Sequence, residues 1–556
     1  GCIESSCSVF GNGGEEDRDV FLWTCLITGY AQHGYGLQAI SLCKQMQVEG
    51  ILLNNFTFSA VLKACSILPS LNIGKQMHSS IIESGYRSDV TIGNVLIDMY
   101  TKSGSIEYAL VVFKEMHGKD VVSWSVMISG CILNQDWDKA IVLFDDMHQE
   151  EIDPNNYTYV SILKAYGSLN VLEGIRKVHS EVLEKVWDSD VFVRSALVDA
   201  YIKCGNLRDG QEVFNGMSEQ DLVSSNVMID GYAQNALCSE ASTLFMVMQH
   251  RGLFPDKITF ASMFKACASI SSFHRGKQLH AQILESRVKC DLFMGSTLID
   301  MYVKCKRIDD AQKVFDAMLV RDVVMWNCLL TGYAQEVYGR EAISQFIQML
   351  HEGIGADVVT YVIILKACME ITSLEWGKQV HAQLVKRKNL ESNLIIRSSL
   401  VDMYAKCGNI MNAREVFDRT AERDVVSWNS IISAYAQRGL NKEVYRLFEL
   451  MQKEGLNPTE VTLGCVLSAC RHGGLVDDGC KYLETLSLTY AIEPTAEHFG
   501  CIIDLFARVG RLDEATDFLS KLSFKPRIEP WIALLGACKT HGNVCVGERA
   551  FERIEH

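Results

Sequence analysis

Five segments of this chain repeat one another at a fixed interval. VFLWTCLITG begins at Val20, VVSWSVMISG at Val121, LVSSNVMIDG at Leu222, VVMWNCLLTG at Val323 and VVSWNSIISA at Val425. Their starts are separated by 101, 101, 101 and 102 residues. Such a period points away from several unrelated globular cores and towards one stack, in which each unit buries its apolar face against the next.

The copy from Val425 to Thr459 shows what the unit is. Trp428, Ile431, Ile432 and Tyr435 fall at spacings of three, four and seven, one face of a helix. Gly439 interrupts, and Val444, Leu447, Phe448 and Met451 repeat the pattern in a second helix. Gly455 stands where a left-handed cap is expected, and Pro458 stops further helix. This predicts a helical hairpin of 35 residues. Two further hairpins lie between successive copies, so the period is a triplet of 35, 35 (once 36) and 31 residues.

The chain divides on this basis into hairpins at 20–54, 55–89, 90–120, 121–155, 156–190, 191–221, 222–256, 257–291, 292–322, 323–357, 358–393, 394–424, 425–459, 460–495 and 496–527. Pro154, Pro255 and Pro458 occupy the penultimate place of three leading hairpins, a helix-stop position. Residues 1–19 are Gly-rich and acidic, the expected remnant of an earlier repeat. Residues 528–556 form an atypical terminal pair that ends abruptly at His556. The fold expected is all-α: a right-handed solenoid superhelix of antiparallel helix-turn-helix repeats.

Composition suits a stack of hairpins, with 48% hydrophobic residues and a mean hydropathy of +0.07. No apolar run approaches the roughly 18 residues a membrane helix needs, so no membrane partner is expected. The chain begins at Gly1 rather than Met, and any targeting segment is expected upstream. A net charge of −15 is unusual for a nucleic-acid binder. The 20 cysteines follow the repeat: Cys65, Cys267, Cys368 and Cys470 end the KAC or SAC of middle hairpins, and Cys204, Cys305 and Cys407 sit in the KC turns of short ones. No CxxC pair has zinc spacing, so they are expected as buried core thiols in a reducing compartment, with no metal and no cofactor.

Two positions vary with hairpin type. The fifth residue of the leading and short hairpins is Thr24, Asn94, Ser125, Ser195, Asn226, Ser296, Asn327, Ser398 and Asn429, always Asn, Ser or Thr. In the middle hairpins it is Ser59, Val160, Ala261, Val362 and Gly464. The last residue is Asp in nine of the first fourteen hairpins, and Asn or Thr in the others. Asp, Asn and Thr all cap helices through a side-chain oxygen, so capping alone would explain the last position. It does not explain the alternation at the fifth, which a base-reading position would, because Asn offers a donor and an acceptor and a hydroxyl one rotatable group.

The WN near the leading starts, the KAC of the middle hairpins and LVDMYAKCGN from Leu400 to Asn409 resemble the pentatricopeptide repeat proteins of the plant organellar PLS subclass, in which P, L and S repeats alternate. The tail from Ala496 resembles that subclass's closing repeats and the start of an E domain. The resemblance implies binding of single-stranded RNA, not DNA, in a mitochondrion or chloroplast, each repeat addressing one base through its fifth and last residues. Carried over, Thr24/Asn54 and Ser125/Asn155 imply A, Asn94/Asp120, Asn226/Asp256 and Asn327/Asp357 imply U, and Ser195/Asp221, Ser296/Asp322 and Ser398/Asp424 imply G. Asn429/Thr459 implies a pyrimidine. The L-type hairpins depart from this pairing and carry no base assignment, so the implied target reads A-n-U-A-n-G-U-n-G-U-n-G-Y. The second residues Val122, Val223, Val324 and Val426 would pack against base planes.

The resemblance further implies selection of cytidines for C-to-U editing, with a deaminase supplied in trans or lost from this chain, and editing-complex proteins as partners. His179-Ser180-Glu181 has the HxE spacing of such a deaminase, but His78, His280 and His381 fill the equivalent place in other L-type hairpins, and no CxxC follows. The chain is therefore expected to be a specificity factor and not an enzyme. The alternatives are a tetratricopeptide-like protein scaffold, which the negative charge would suit, and a factor for organellar RNA stabilisation or processing.

Overall fold

The computed structural model describes residues 19–555 apart from 69, 287–288, 336–337, 388–389, 391, 491 and 522–527. Residues 1–18 of the expected N-terminal remnant, and the end of the hairpin expected to close at 527, lie outside the described residues. Among those described, the regular elements are 32 α-helices with short 3-10 turns at Tyr86–Ser88 and Val186–Ser189.

The chain forms two compact units, divided between residues 288 and 289. In the first, the helices Val20–Gln32, Asn55–Ile67, Val90–Lys102, Val121–Leu133, Asn156–Leu169, Val191–Lys203, Leu222–Gln234 and Lys257–Ser269 pack side by side in sequence order. Each of the first seven is followed by a partner helix that wedges between it and the next, as Gly36–Val48 does between the first two. The second unit repeats this arrangement from Leu292–Lys304 through Ala496–Val509, and Glu529–His541 with Val544–Glu555 packs on in the same way. Partner helices in the leading and middle hairpins mostly run 13 residues, but Ile106–Glu115, Leu207–Asn215, Ile308–Ala317 and Ile410–Asp418 run only 10, 9, 10 and 9. About one helical turn is missing from them, which is what makes the short hairpins short.

Packing repeats with the sequence. Trp428 is buried against Phe417, their ring centroids 4.7 Å apart, and Trp326 and Trp124 meet Phe315 and Phe113 at 4.5 and 4.8 Å. Each pair locks a short hairpin to the leading hairpin after it through edge-to-face contact. Between middle and short hairpins the link is polar: His78 Nδ1 lies 2.9 Å from the Tyr100 hydroxyl, and His179 and His381 meet Tyr201 and Tyr404 at 2.9 and 2.8 Å. Gly455 closes its hairpin at φ +79°, as the sequence predicts; Gly50, Gly252 and Gly353 do the same. Glu151 occupies the equivalent place at φ +55°, a conformation that costs a side-chain-bearing residue about 1–2 kcal/mol. Cys65, Cys267, Cys368 and Cys470 are fully buried, and the cysteines among the described residues are free thiols.

Candidate nucleic-acid interface

The last residue of every hairpin from Asn54 to Thr495 stands at the N-terminus of the next first helix. In the twelve Asp and Asn cases its side-chain oxygen accepts a backbone N–H two or three residues on, as Asp256 Oδ1 does from Thr259 N at 2.9 Å. Thr459 and Thr495 instead donate their own N–H to the side chains of Thr462 and His498, at 3.0 and 2.9 Å. Capping is therefore general at this position, in the middle hairpins too. What differs between hairpin types is whether the fifth residue joins the cap.

It does so most fully where a leading hairpin meets a middle one. Asn226 Nδ2 donates to Asp256 Oδ1 at 3.1 Å, and the Thr259 hydroxyl lies 2.6 Å from Asn226 Oδ1 and 2.9 Å from Asp256 Oδ1. The triad recurs as Asn327, Asp357 and Thr360, with 3.1, 2.7 and 2.8 Å. Asn429, Thr459 and Thr462 vary it: Nδ2 donates to the Thr459 hydroxyl at 3.0 Å and Oδ1 accepts from Thr462 at 2.6 Å. With a hydroxyl as fifth residue, Ser125 lies 3.2 Å from Asn155 Oδ1 and 2.7 Å from the Thr158 hydroxyl, and Thr24 reaches Thr57 at 2.8 Å while Asn54 binds the same threonine. The threonines at 57, 158, 259, 360 and 462 hold these junctions together and were not singled out from the sequence. The signal was available, since the third residue of each of those middle hairpins is Thr.

Where a short hairpin meets a leading one the joining is uneven. Asn94 Nδ2 reaches Asp120 Oδ1 at 3.4 Å, and the Ser398 hydroxyl lies 2.8 Å from Asp424 Oδ1 and 3.0 Å from its own backbone at the Leu394 carbonyl. Ser195 and Ser296 turn back instead onto the carbonyls of Val191 and Phe293, at 2.7 and 2.9 Å, while Asp221 and Asp322 cap without them.

Hydrogen bonding orients these groups and also sets their charge. Partial burial opposes ionisation of Asp256, but bonds from the Thr259 amide and hydroxyl and from the Asn226 amide outweigh it, leaving the pKa below the ordinary carboxylate value. The same balance lowers Asp357, through Thr360 and Asn327, and Asp120, through Ser123 and Asn94. An Asn side chain has two N–H donors and two acceptor sites, so the contacts at Asn226 leave one of each uncommitted.

The second residues form an exposed apolar series. Val122, Val223, Val324 and Val426 are 47%, 56%, 52% and 59% exposed. The series extends beyond the predicted four to Phe56, Tyr157, Phe192, Ile258, Phe293, Val359, Ile395 and Val461, all exposed. In the first unit Phe56, Asn94, Asp120 and Val122 line one cavity of about 640 Å³, together with Ser59 and Lys63.

His179 and Glu181 are engaged separately. His179 meets Tyr201, whereas Glu181 accepts from the Tyr159 hydroxyl at 2.8 Å and Lys185 Nζ at 3.1 Å, and lies 2.9 Å from His148 Nε2. Among the described residues no group of three or more His, Cys, Asp or Glu is placed to hold a metal ion, and no helix is long and apolar enough to cross a membrane.

Comparison with known proteins accords with this repeat. A model of the PPR repeat family matches residues 18–66, 119–168, 220–269, 321–370 and 423–472, and a PPR repeat model matches 94–121, 192–222, 296–323, 396–425 and 497–523. The chloroplastic pentatricopeptide repeat-containing protein At1g11290 of Arabidopsis thaliana is 34% identical over 533 residues, 96% of this chain and 66% of the relative. The mitochondrial At3g53360 of the same plant is 35% identical over 540 residues, 97% of this chain and 70% of the relative. A third, At4g39530, is 37% identical over 449 residues, 80% of this chain and 54% of the relative, so the chain spans about half to two thirds of several relatives. The fold is similar to that of the pentatricopeptide repeat protein PPR10 in a crystal structure with an 18-nucleotide psaJ RNA element, at TM-score 0.59 and 16% identity over 99% of this chain and 82% of that one. From its repeat matches, its relatives and this fold, the chain belongs to the PPR repeat family.

Proposed function

We propose that the chain binds single-stranded RNA of a plant organelle by sequence, and that it is a site-recognition factor for C-to-U editing whose deaminase is supplied in trans or by a part of the protein outside this chain. The P-L-S division into hairpins, the E-like character of residues 528–556 and the target A-n-U-A-n-G-U-n-G-U-n-G-Y are parts of this reading. The observation that carries it is the joint Asn226–Asp256–Thr259. It fixes an amide, 7% exposed, with one donor and one acceptor uncommitted, the combination that the Watson–Crick edge of a pyrimidine requires. The exposed apolar second residues on either side of each junction supply surfaces for base planes. Relatives named as chloroplastic and mitochondrial support an organellar location. The solved complex of PPR10 with RNA supports RNA as the ligand class.

The test is binding of the purified chain to the 13-base RNA just given and to variants altered at one assigned base. Each substitution at a P- or S-type position should weaken binding, and changes at the unassigned positions should matter little. Equal affinity for all of them would overturn sequence reading. The editing role is tested in the organelle: loss of the chain should abolish C-to-U conversion in transcripts that it captures. Loss of transcript ends or abundance with editing intact would favour a stabilisation factor.

A further inference from the structure

The ninth residue of each first helix lies one turn beyond the fifth, on the same face, and its charge follows hairpin type. In four of the L-type hairpins it is Lys63, Lys164, Lys265 and Lys366, all exposed. In the S-type hairpins it is Asp98, Asp199, Asp300 and Asp402. Each of those aspartates is paired within its own helix, with Lys102, Lys203, Lys304 and Lys406 at 2.8, 2.6, 2.9 and 3.0 Å. The S-type row is thus neutral in itself. Lys265 reaches Asp230 at 3.3 Å. Lys63, Lys164 and Lys366 have no ion-pair partner among the described residues. Lys63 lines the same cavity as the Asn94/Asp120 pair and the apolar Phe56 and Val122, next to a junction that the RNA-binding reading assigns to a base.

We infer that the L-type hairpins hold the RNA backbone: Lys63, Lys164 and Lys366 each contact a phosphate, and Lys265, already compensated by Asp230, does so weakly. The inference rests on the RNA-binding reading above and assigns a role to hairpins that it left without one. Val160, Ala261 and Val362 give three of these four hairpins no polar group at the fifth position, and in the fourth the Ser59 hydroxyl donates to the Asn55 carbonyl at 2.9 Å, so base-edge recognition there has no free donor. An ammonium suits the alternative, because it binds a phosphate oxygen as a point charge and needs no fixed orientation. A phosphate contact in each of several triplets also lets a chain of net charge −15 bind a polyanion without a continuous basic track.

The experiment measures affinity for the 13-base target against salt, for the intact chain and for the triple variant Lys63→Gln/Lys164→Gln/Lys366→Gln. Each neutralised phosphate on a single strand contributes about −0.7 to the slope of log K against log salt. The intact chain should show a slope of about −2 to −4, and the triple variant should be shallower by about 2, with its U preference at the seventh base intact. Lys265→Gln should move the slope less than Lys63→Gln. Asp199→Asn with Lys203→Gln removes a neutral pair and should leave the slope unchanged. A triple variant with the parent slope overturns the inference while the parent's base preferences uphold RNA reading. Loss of U preference in the triple variant would assign the lysines to bases and also overturn it. A slope near −8 in the parent would reveal a basic track elsewhere. Failure of the intact chain to bind the target would overturn the RNA reading itself, and this inference with it.

Discussion

The amide of Asn226 donates to Asp256 Oδ1 across 30 residues of sequence, and that same oxygen caps the helix beginning at Lys257. Capping and pairing are thus one structure, so removing the side chain tests both at once. Asp256→Asn separates them, because Asn caps as well as Asp and stands naturally at 54 and 155. By the resemblance that assigns Asn429/Thr459 to a pyrimidine, Asn paired with Asn implies a pyrimidine, chiefly C. Asp256→Asn should therefore move the preference at the seventh base from U towards C with the melting temperature almost unchanged. Asp256→Ala should lose the cap, at a cost of about 1 kcal/mol, and weaken discrimination without creating a new preference.

Thr259 predicts a different signature. Its hydroxyl braces Asn226 Oδ1 and Asp256 Oδ1 together and is fully buried. Thr259→Val preserves shape but leaves the amide oxygen without that donor, so Asn226 is no longer held in one orientation. Stability should fall by about 1–3 kcal/mol, the cost of a buried polar group left unsatisfied. The U preference at the seventh base should weaken even though both residues of the reading pair are untouched. Measured binding that still discriminates fully would show that the brace does not serve recognition.

Acid should loosen these junctions. Asp120, Asp256 and Asp357 are held below their unfolded pKa of about 4. Their contribution to stability is complete above that unfolded value and is lost as pH falls through the lower folded values. Urea midpoints should drop as pH falls below about 4, and the drop should be smaller in Asp256→Asn/Asp357→Asn, which keeps the caps and removes two titrating groups. Identical acid profiles in parent and variant would contradict this account.

The architecture was legible because burial is periodic. Trp428, Ile431 and Ile432 fall on one helical face, and all three are buried. Recurrence at 101 residues identified the same contacts elsewhere in the chain. The junction chemistry was only half legible. Variation between hairpin types exposed Asn226 and Ser398. The third residue varies in the same way, Thr in the middle hairpins and Leu, Ser, Met, Ile or Val in the leading and short ones. A Thr beside the capping position, however, reads as part of an ordinary helix start and not as a brace for the residue 33 positions before it. The last residues presented capping and pairing with the fifth residue as rivals, whereas the single Oδ1 of Asp256 caps the next helix and accepts from Asn226. The overall charge of −15 concealed the ninth-position lysines, because sums over a sequence erase a pattern that alternates with hairpin type. Whether a serine reaches its aspartate as well as its own backbone was beyond sequence altogether, since Ser296 and Ser398 occupy the same place in the repeat.

That last difference makes a prediction within a single letter of the implied code. Ser398 donates to Asp424 Oδ1 at 2.8 Å, so hydroxyl and carboxylate already stand together where a base edge would meet them. Ser296 points to the Phe293 carbonyl at 2.9 Å, while Asp322 caps alone through the Met325 N–H. Both pairs imply G, at the ninth and twelfth bases. Ser398 also meets its own backbone, at the Leu394 carbonyl 3.0 Å away, but Ser296 has only the backbone. Using Ser296 for recognition therefore gives up its bond with no aspartate already in reach, and a neutral hydrogen bond contributes about 0.5–1.5 kcal/mol. Discrimination of G from A should accordingly be about two- to tenfold weaker at the ninth base than at the twelfth. Ser195, which turns back on Val191 in the same way, should make the sixth base resemble the ninth. RNAs carrying a G-to-A change at one of these three bases measure it directly. Equal losses at all three would mean that the serine's orientation in the free chain has no bearing on reading.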